Sequence, residues 1–121
     1  MNREQTFQAW ASGFGLPAYA ATSVPDDAEM PYITYAFGFN GFDAGDYEAE
    51  LNIWFRGSGE RPANRKAEEI YRSLGFGGTM IPCDDGGIWI KRGVPFCQSV
   101  RDEPDVHRRY INVLIENITC E

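Results

Sequence analysis

The residues of this chain that could carry chemistry are few and lie apart in the sequence. His107 is the only histidine, and it follows the acidic residues Glu103 and Asp105 at the start of a predicted strand. A catalytic base or a metal-binding histidine needs an orienting partner, and a residue that opens a strand after a polar turn is usually exposed. We therefore interpret this histidine as a surface residue.

Four carboxylates form an acidic segment near the middle of the chain. Asp43, Asp46, Glu48 and Glu50 follow one another with no lysine or arginine between them. The spacing does not match a calcium-binding loop, which needs ligands at alternate positions and a closing bidentate glutamate. A solvated loop is the favoured interpretation, and a divalent-metal site on Asp43, Asp46 and Glu48 is the alternative.

The other reactive residue types have structural explanations. The glycine-rich segment 75–78 follows a predicted helix instead of opening one, so it does not resemble a phosphate-binding loop. No serine lies in the context of a nucleophile elbow. The three cysteines are odd in number and lack a C-x-x-C spacing, which favours reduced thiols at Cys83, Cys97 and Cys120. The sequence therefore predicts no catalytic residue, no cofactor and no metal site, and we expect a protein that is not an enzyme.

Composition indicates one folded domain with an acidic surface. The chain has 121 residues, of which 43% are hydrophobic, and its formal net charge is −7. Lysine and arginine are not clustered as nucleic-acid binding requires. No apolar run approaches the roughly 20 residues of a membrane span, and the first residues do not resemble a signal peptide. We therefore expect a protein made and kept in the cytosol, without nucleic-acid or membrane partners.

Apolar periodicity predicts two helices. The first spans residues 3–13 and starts with a capping box formed by Asn2 and Gln5. The second spans residues 62–74, begins with a proline and ends before Gly75. Their apolar faces consist of Phe7, Trp10, Ala11 and Phe14 in the first helix, and Ala63, Ala67, Ile70, Tyr71 and Leu74 in the second.

Strand patterns account for most of the remaining chain. The predicted strands span residues 31–39, 47–56, 80–83, 88–91, 95–100 and 108–119, with a hairpin turn at 84–87 and an irregular connector before residue 31. Strands outnumber helices and are joined mostly by short turns. The predicted fold is therefore α+β: a single domain with a mainly antiparallel sheet of about five to six strands and two helices packed on one face.

Several strands are apolar on the side opposite their core residues. A strand that is apolar on both faces is covered on both, by another layer of the same chain or by another subunit. Exposed aromatic side chains on an acidic domain are typical of a subunit contact. We predict that this contact involves Trp54, Trp89, Tyr110 and Leu114, and coverage by the helices of the same chain is the alternative.

The order of these elements resembles a family of phage proteins. The matching segments are the Leu16-Pro17 turn, "PYITY" at 31–35, "YEAELNIWF" at 47–55, "PANRKAEEIYRSL" at 62–74 and "RDEPDVHRRYINVLIE" at 101–116. In this order they resemble the small tail-terminator and tail-completion proteins of long-tailed bacteriophages. The resemblance covers most of the chain.

The resemblance implies a structural role in the virion. Proteins of this family form rings, commonly hexameric, that cap the tail tube, stop its polymerisation and provide the surface that joins the head. It implies no catalytic residue and no cofactor. The implied partners are further copies of the chain, the tail tube protein and a head-completion protein, with assembly in the bacterial cytoplasm. The alternatives are a head-completion adaptor at the same junction, or a small cytosolic metal-binding enzyme or regulator.

The acidic segment has a specific expectation within such a ring. DNA leaves along the ring axis, and a wall of like charge lets it slide. We expect Asp43, Asp46, Glu48 and Glu50 to face the channel or its rim, and a solvated loop on the outer wall is the alternative.

Overall fold

A six-stranded sheet and two α-helices form most of the structure, a computed structural model that describes residues 1–57, 59–101 and 103–119. Ser58 and Asp102, which the sequence places in turns, and Cys120, predicted as a reduced thiol, lie outside the described residues. The elements in chain order are α1 (Arg3–Ser12), β1 (Ala18–Ala20), β2 (Tyr32–Ala36), a 3-10 turn (Phe42–Ala44), β3 (Tyr47–Arg56), α2 (Arg61–Leu74), β4 (Thr79–Cys83), β5 (Gly86–Arg101) and β6 (Val106–Thr119).

The sheet is mixed but mainly antiparallel, which confirms the predicted α+β class. Its strand order is β1-β2-β3-β6-β5-β4. Strands β1 and β2 pair in parallel, and the other four pairings are antiparallel. The sheet curls, so that α1 contacts both edge strands, β1 and β4. The curl brings the two ends of the sheet to the same helix.

One hydrophobic core lies between the helices and the sheet. Alternate residues of each central strand point into it, and in β6 these are Ile111, Val113 and Ile115, all fully buried. The buried helix residues are Thr6, Phe7 and Ala11 in α1, and Ala63, Ala67, Ile70 and Leu74 in α2. Of the other predicted face residues, Trp10 and Phe14 are half-buried against the core, Phe14 beyond the end of α1, and Tyr71 is 43% exposed. This ring lies at the edge of the apolar stripe, where it packs edge-to-face against the Phe96 ring at a centroid distance of 5.2 Å.

The helix ends follow the sequence signals. The Asn2 side chain accepts a hydrogen bond from the Gln5 backbone N–H at 2.8 Å, and the Gln5 side chain accepts one from the Asn2 N–H at 3.0 Å. This reciprocal pair satisfies two of the free donors at the start of α1. Helix α2 has Pro62 in its first turn and ends at Gly75, whose φ of 68° suits glycine.

Three expectations for the β-structure were wrong. The connector before residue 31 contains β1, which is too short to show a period. The hairpin turn is only Asp84-Asp85, because Gly86 and Gly87 already pair with β4. The separate strand predicted at 95–100 is the second half of β5, since Arg92 pairs with Val113 and Cys97 with Ile111.

A bulge in the middle of β5 explains the last of these errors. Residues 93–96 lie opposite the single residue Asn112 of β6, whose side-chain amide donates to the Pro95 carbonyl at 3.0 Å. Pro95 has no N–H for the ladder, and a bulge tolerates that loss. The glycine and proline that indicate a strand end in the sequence therefore mark an irregularity within one strand.

Candidate functional site

The face of the sheet opposite the helices is the candidate site, and we call it the open face. The structure describes no helix packed on it. Its side chains alternate with the core residues. By strand they are Tyr32, Thr34 and Ala36 in β2; Glu48, Glu50, Asn52 and Trp54 in β3; Trp89, Lys91, Gln98 and Val100 in β5; and Arg108, Tyr110, Asn112, Leu114, Glu116 and Ile118 in β6. All four residues predicted to form a subunit contact, Trp54, Trp89, Tyr110 and Leu114, lie on this face.

Trp54 lies at one end of the open face and is largely packed by its own chain. Its indole N–H donates to Thr34 Oγ1 at 2.9 Å. The Arg108 guanidinium lies 4.7 Å from the indole ring centroid, and the Tyr32 ring lies 6.2 Å away. These contacts leave the indole half-buried. The sequence did not determine whether the helices or another subunit would cover Trp54. In the structure, its neighbours on the open face cover part of the ring, and the helices do not.

The centre of the open face is held by hydrogen bonds between strands. The Tyr110 hydroxyl donates to Glu50 at 2.5 Å. This bond raises the pKa of Tyr110, because the carboxylate disfavours a phenolate beside it, and burial of the hydroxyl is the second-largest cause of the increase. Leu114, half-buried, lies between Glu48 on β3 and Lys91 on β5. The centre is therefore a polar surface around one aliphatic side chain.

Lys91 connects the acidic segment to the sheet. Its ammonium lies 3.1 Å from Asp46 and 3.4 Å from Glu116. Burial alone would lower the pKa of Lys91, but the hydrogen bond to Asp46 and the charges of both carboxylates outweigh it and raise that pKa. Asp46 is therefore paired, although the sequence around it contains no base.

The predicted acidic segment is divided by the structure. Asp46 and Glu50 have partners on β5 and β6, whereas Asp43 and Glu48 are exposed. Within residues 1–57, 59–101 and 103–119, no three histidine, cysteine or acidic side chains are grouped as a metal site requires. The alternative metal site on Asp43, Asp46 and Glu48 is thus not assembled in the described chain.

The β4 corner exposes the most apolar surface near the open face. Trp89 is 38% exposed and Met80 48% exposed, and with Gly78 and Ile118 they line a shallow groove of about 380 Å³. The Trp89 indole N–H donates to the Gly77 carbonyl at 2.7 Å. Its polar atom is satisfied while much of its ring faces solvent, an arrangement common at protein contacts.

His107 lies in a structural contact at the other end of the molecule. Its Nε2 donates to the Gly57 carbonyl at 3.0 Å. The nearby Asp105 accepts from Arg56 at 2.7 Å, and this bond lowers the pKa of Asp105. The acid that could have oriented the histidine is therefore engaged elsewhere.

Sequence reasoning missed a buried cation, Arg109. This side chain lies on the helix-covered side and is 3% exposed. It donates to Asn64 at 2.9 Å and to the Arg108 carbonyl at 3.2 Å, and it lies 3.5 Å from Glu60. Consecutive residues in a strand point to opposite faces, so one arginine of the Arg108-Arg109 pair had to lie on the covered face. This pair was the sequence feature that could have predicted a buried arginine.

Comparisons of the chain with protein-family models, curated proteins and solved structures each found no significant match. In the part of the chain that the structure describes, no helix has the length and apolar character needed to cross a membrane.

Proposed function

We propose that this chain is a virion structural protein of a long-tailed bacteriophage, a tail terminator. Copies of the chain close into a ring on the end of the tail tube, stop its polymerisation and provide the surface that a head-completion protein joins. The protein acts through binding and performs no catalysis. Assembly takes place in the bacterial cytoplasm.

The observation that carries the proposal is the open face. It bears partly exposed aromatic and aliphatic side chains, Trp89 and Leu114 among them, on a sheet whose other face carries the buried core. A polar surface that also exposes aromatic and aliphatic side chains is typical of a contact between separately folded proteins. The open face thus supports assembly as the work of this domain.

The resemblance in the sequence supplies the identity of the assembly. The segments that carry it fold into β2, β3, α2 and β6, three strands of the central sheet and the helix packed on it. The segments of the resemblance are therefore one packed unit in space.

A channel role is proposed for the loop before β3. Asp43 is exposed in this loop, and Asp46 follows it. Glu48 and Glu50 belong to the sheet itself, so we retain the channel hypothesis for the two aspartates only. Replacing both with asparagine should leave folding intact, because Asp43 is exposed, the Asp46–Lys91 pair keeps contact with solvent, and such charges contribute little to stability. Genome ejection should slow while tail length stays unchanged, and ejection at the normal rate would place this loop outside the channel.

Tube polymerisation provides the test of the main proposal. Purified tail tube protein is allowed to polymerise with and without this chain, and tube lengths are measured by electron microscopy. We expect bound rings at tube ends and an arrest of growth. Light scattering over a concentration series reports association in solution. A chain that stays monomeric at high concentration and does not bind tubes would refute the proposal, whereas binding to heads but not to tubes would indicate a head-completion adaptor.

A further inference from the structure

The charge of this chain is distributed unevenly between two opposite surfaces. Helix α2 contains four basic residues, Arg61, Arg65, Lys66 and Arg72, and two acidic ones, a net charge of +2 in a chain whose net charge is −7. We call the exposed arginines 61, 65 and 72 the basic ridge. The acidic residues 48, 50 and 116 on the open face form what we call the acidic strip.

The basic ridge is available for contact. Arg61 and Arg65 are exposed and have no ion-pair partner within the described part of the chain. The Arg72 side chain is 78% exposed and pairs with Glu68 at 3.6 Å. Long, exposed guanidinium groups of this kind suit the recognition of carboxylates.

The acidic strip is only partly neutralised by its own chain. Glu48 is exposed, and Glu50 accepts a hydrogen bond from the neutral Tyr110 hydroxyl. Lys91 is shared between Glu116 and Asp46. One lysine therefore faces four carboxylates in this region, which leaves an excess of negative charge around Leu114.

We infer that the basic ridge of one copy docks on the acidic strip of the next copy. Helix α2 packs on the covered face of the sheet, so the ridge and the strip lie on opposite sides of the molecule. One copy can then use both surfaces at once. The contact is heterologous, and repetition with a closing rotation produces a ring.

The same charges disfavour the simplest alternative assembly. A two-fold dimer that joins two open faces would bring one acidic strip against another. Like charges placed across an interface suppress such pairing. The charge distribution therefore favours a head-to-tail ring over a face-to-face dimer. This inference rests on the proposed function and specifies which surfaces of the proposed ring meet.

A charge-swap experiment tests the inference. The ridge variant carries Arg61→Glu and Arg65→Glu, and the strip variant carries Glu48→Arg and Glu116→Arg, so that the sign of each surface is reversed. Sedimentation velocity and tube-end binding are measured for each variant alone and for an equimolar mixture. Each variant alone should associate at least tenfold more weakly, because its ridge and strip have the same sign. The mixture should regain association, since alternating copies restore opposite signs at every contact.

Controls separate the possible outcomes. Asp26→Arg with Asp27→Arg changes the charge of the exposed connector, at residues that belong to neither the ridge nor the strip, and should associate as the unmodified chain does. Circular dichroism checks that all variants fold. If the unmodified chain forms rings and the reversals leave association unchanged, or the mixture is not rescued, the docking assignment is wrong while the proposed function stands. If the unmodified chain associates neither in solution nor on tubes, the proposed function itself fails.

Discussion

The two faces of the sheet are built from the same strands but are stabilised in different ways. On the covered face, Leu51 of β3 lies opposite Ile111 of β6, and both are fully buried. One residue along, on the open face, Asn52 lies opposite Tyr110, which bonds to Glu50. The covered face is held by burial, and the open face by contacts between individual pairs of side chains.

The difference in mechanism implies a difference in energy. Complete burial of one leucine or isoleucine side chain contributes about 1.5–3 kcal/mol. An ion pair that keeps contact with solvent contributes about 0–1 kcal/mol. Substitutions on the covered face should therefore unfold the domain, whereas substitutions on the open face should mainly alter association.

The largest effect is expected on the covered face, at α2. Ala67 is 7% exposed and Glu68 is exposed. Ala67→Glu buries a carboxylate that has no cationic or hydrogen-bonding partner, and it should lower the free energy of unfolding by about 3 kcal/mol or more. Glu68→Ala is the control and should change it by about 0.5 kcal/mol or less. Urea denaturation of both variants gives the comparison, and equal costs would show that the buried face is assigned wrongly.

Substitution of Arg109, a buried polar residue on the covered face, should have the second-largest effect on the free energy of unfolding. Arg109→Ala removes the partner of Asn64 and leaves a cavity, which should cost about 2–3 kcal/mol. Arg109→Met keeps the volume and removes the charge, so it should cost about 1 kcal/mol or less. Thermal or urea unfolding measures both variants. If methionine is as damaging as alanine, the charge and not the packing is what this position requires.

A smaller effect is expected at the packed end of the open face. Trp54→Ala removes the stacking on Arg108 and the bond to Thr34, at a cost of about 1–2 kcal/mol. Trp54→Phe keeps a ring and should recover about half of that loss. Unfolding by urea gives both values. A cost above that of Ala67→Glu would mean that the two faces do not differ as proposed.

The covered face was predictable from sequence because its signals are local. The capping box at Asn2, the apolar stripe of α2 and the glycine after it all lie within a few residues of the structure they determine. Strand β1 was missed because three residues have no measurable period, and the length of β5 because Pro95 indicates a strand end unless a bulge accommodates it.

For the open face, the sequence predicted which side chains point to it but not which side chains contact one another. Alternation placed Trp54, Trp89, Tyr110 and Leu114 on one face, and the strand pairing agrees. Their partners could not be predicted, since Lys91 lies 45 residues from Asp46 and Tyr110 lies 60 residues from Glu50. Such contacts depend on strand order and register, which no local pattern specifies.

The smallest expected effect is at the turn between β5 and β6, beyond both faces. Asp105 accepts a hydrogen bond from Arg56, and this bond holds the pKa of Asp105 below its ordinary value of about 3.9. A carboxyl whose pKa is lower in the folded state stabilises that state above its unfolded pKa, and the contribution disappears as pH falls through the folded pKa. The Arg56 and Asp105 side chains are both more than half exposed, so loss of the pair should change the pKa of Asp105 more than the free energy of unfolding.

In Arg56→Gln, an NMR titration of the Asp105 carboxyl carbon should show the pKa of Asp105 returning upward. The exposed arginine variant Arg72→Gln should leave the Asp105 titration unchanged. An unchanged Asp105 titration in Arg56→Gln would mean that this pair does not form in solution. A large loss of unfolding free energy in the same variant would show that exposed ion pairs contribute more to this fold than the contrast between its two faces allows.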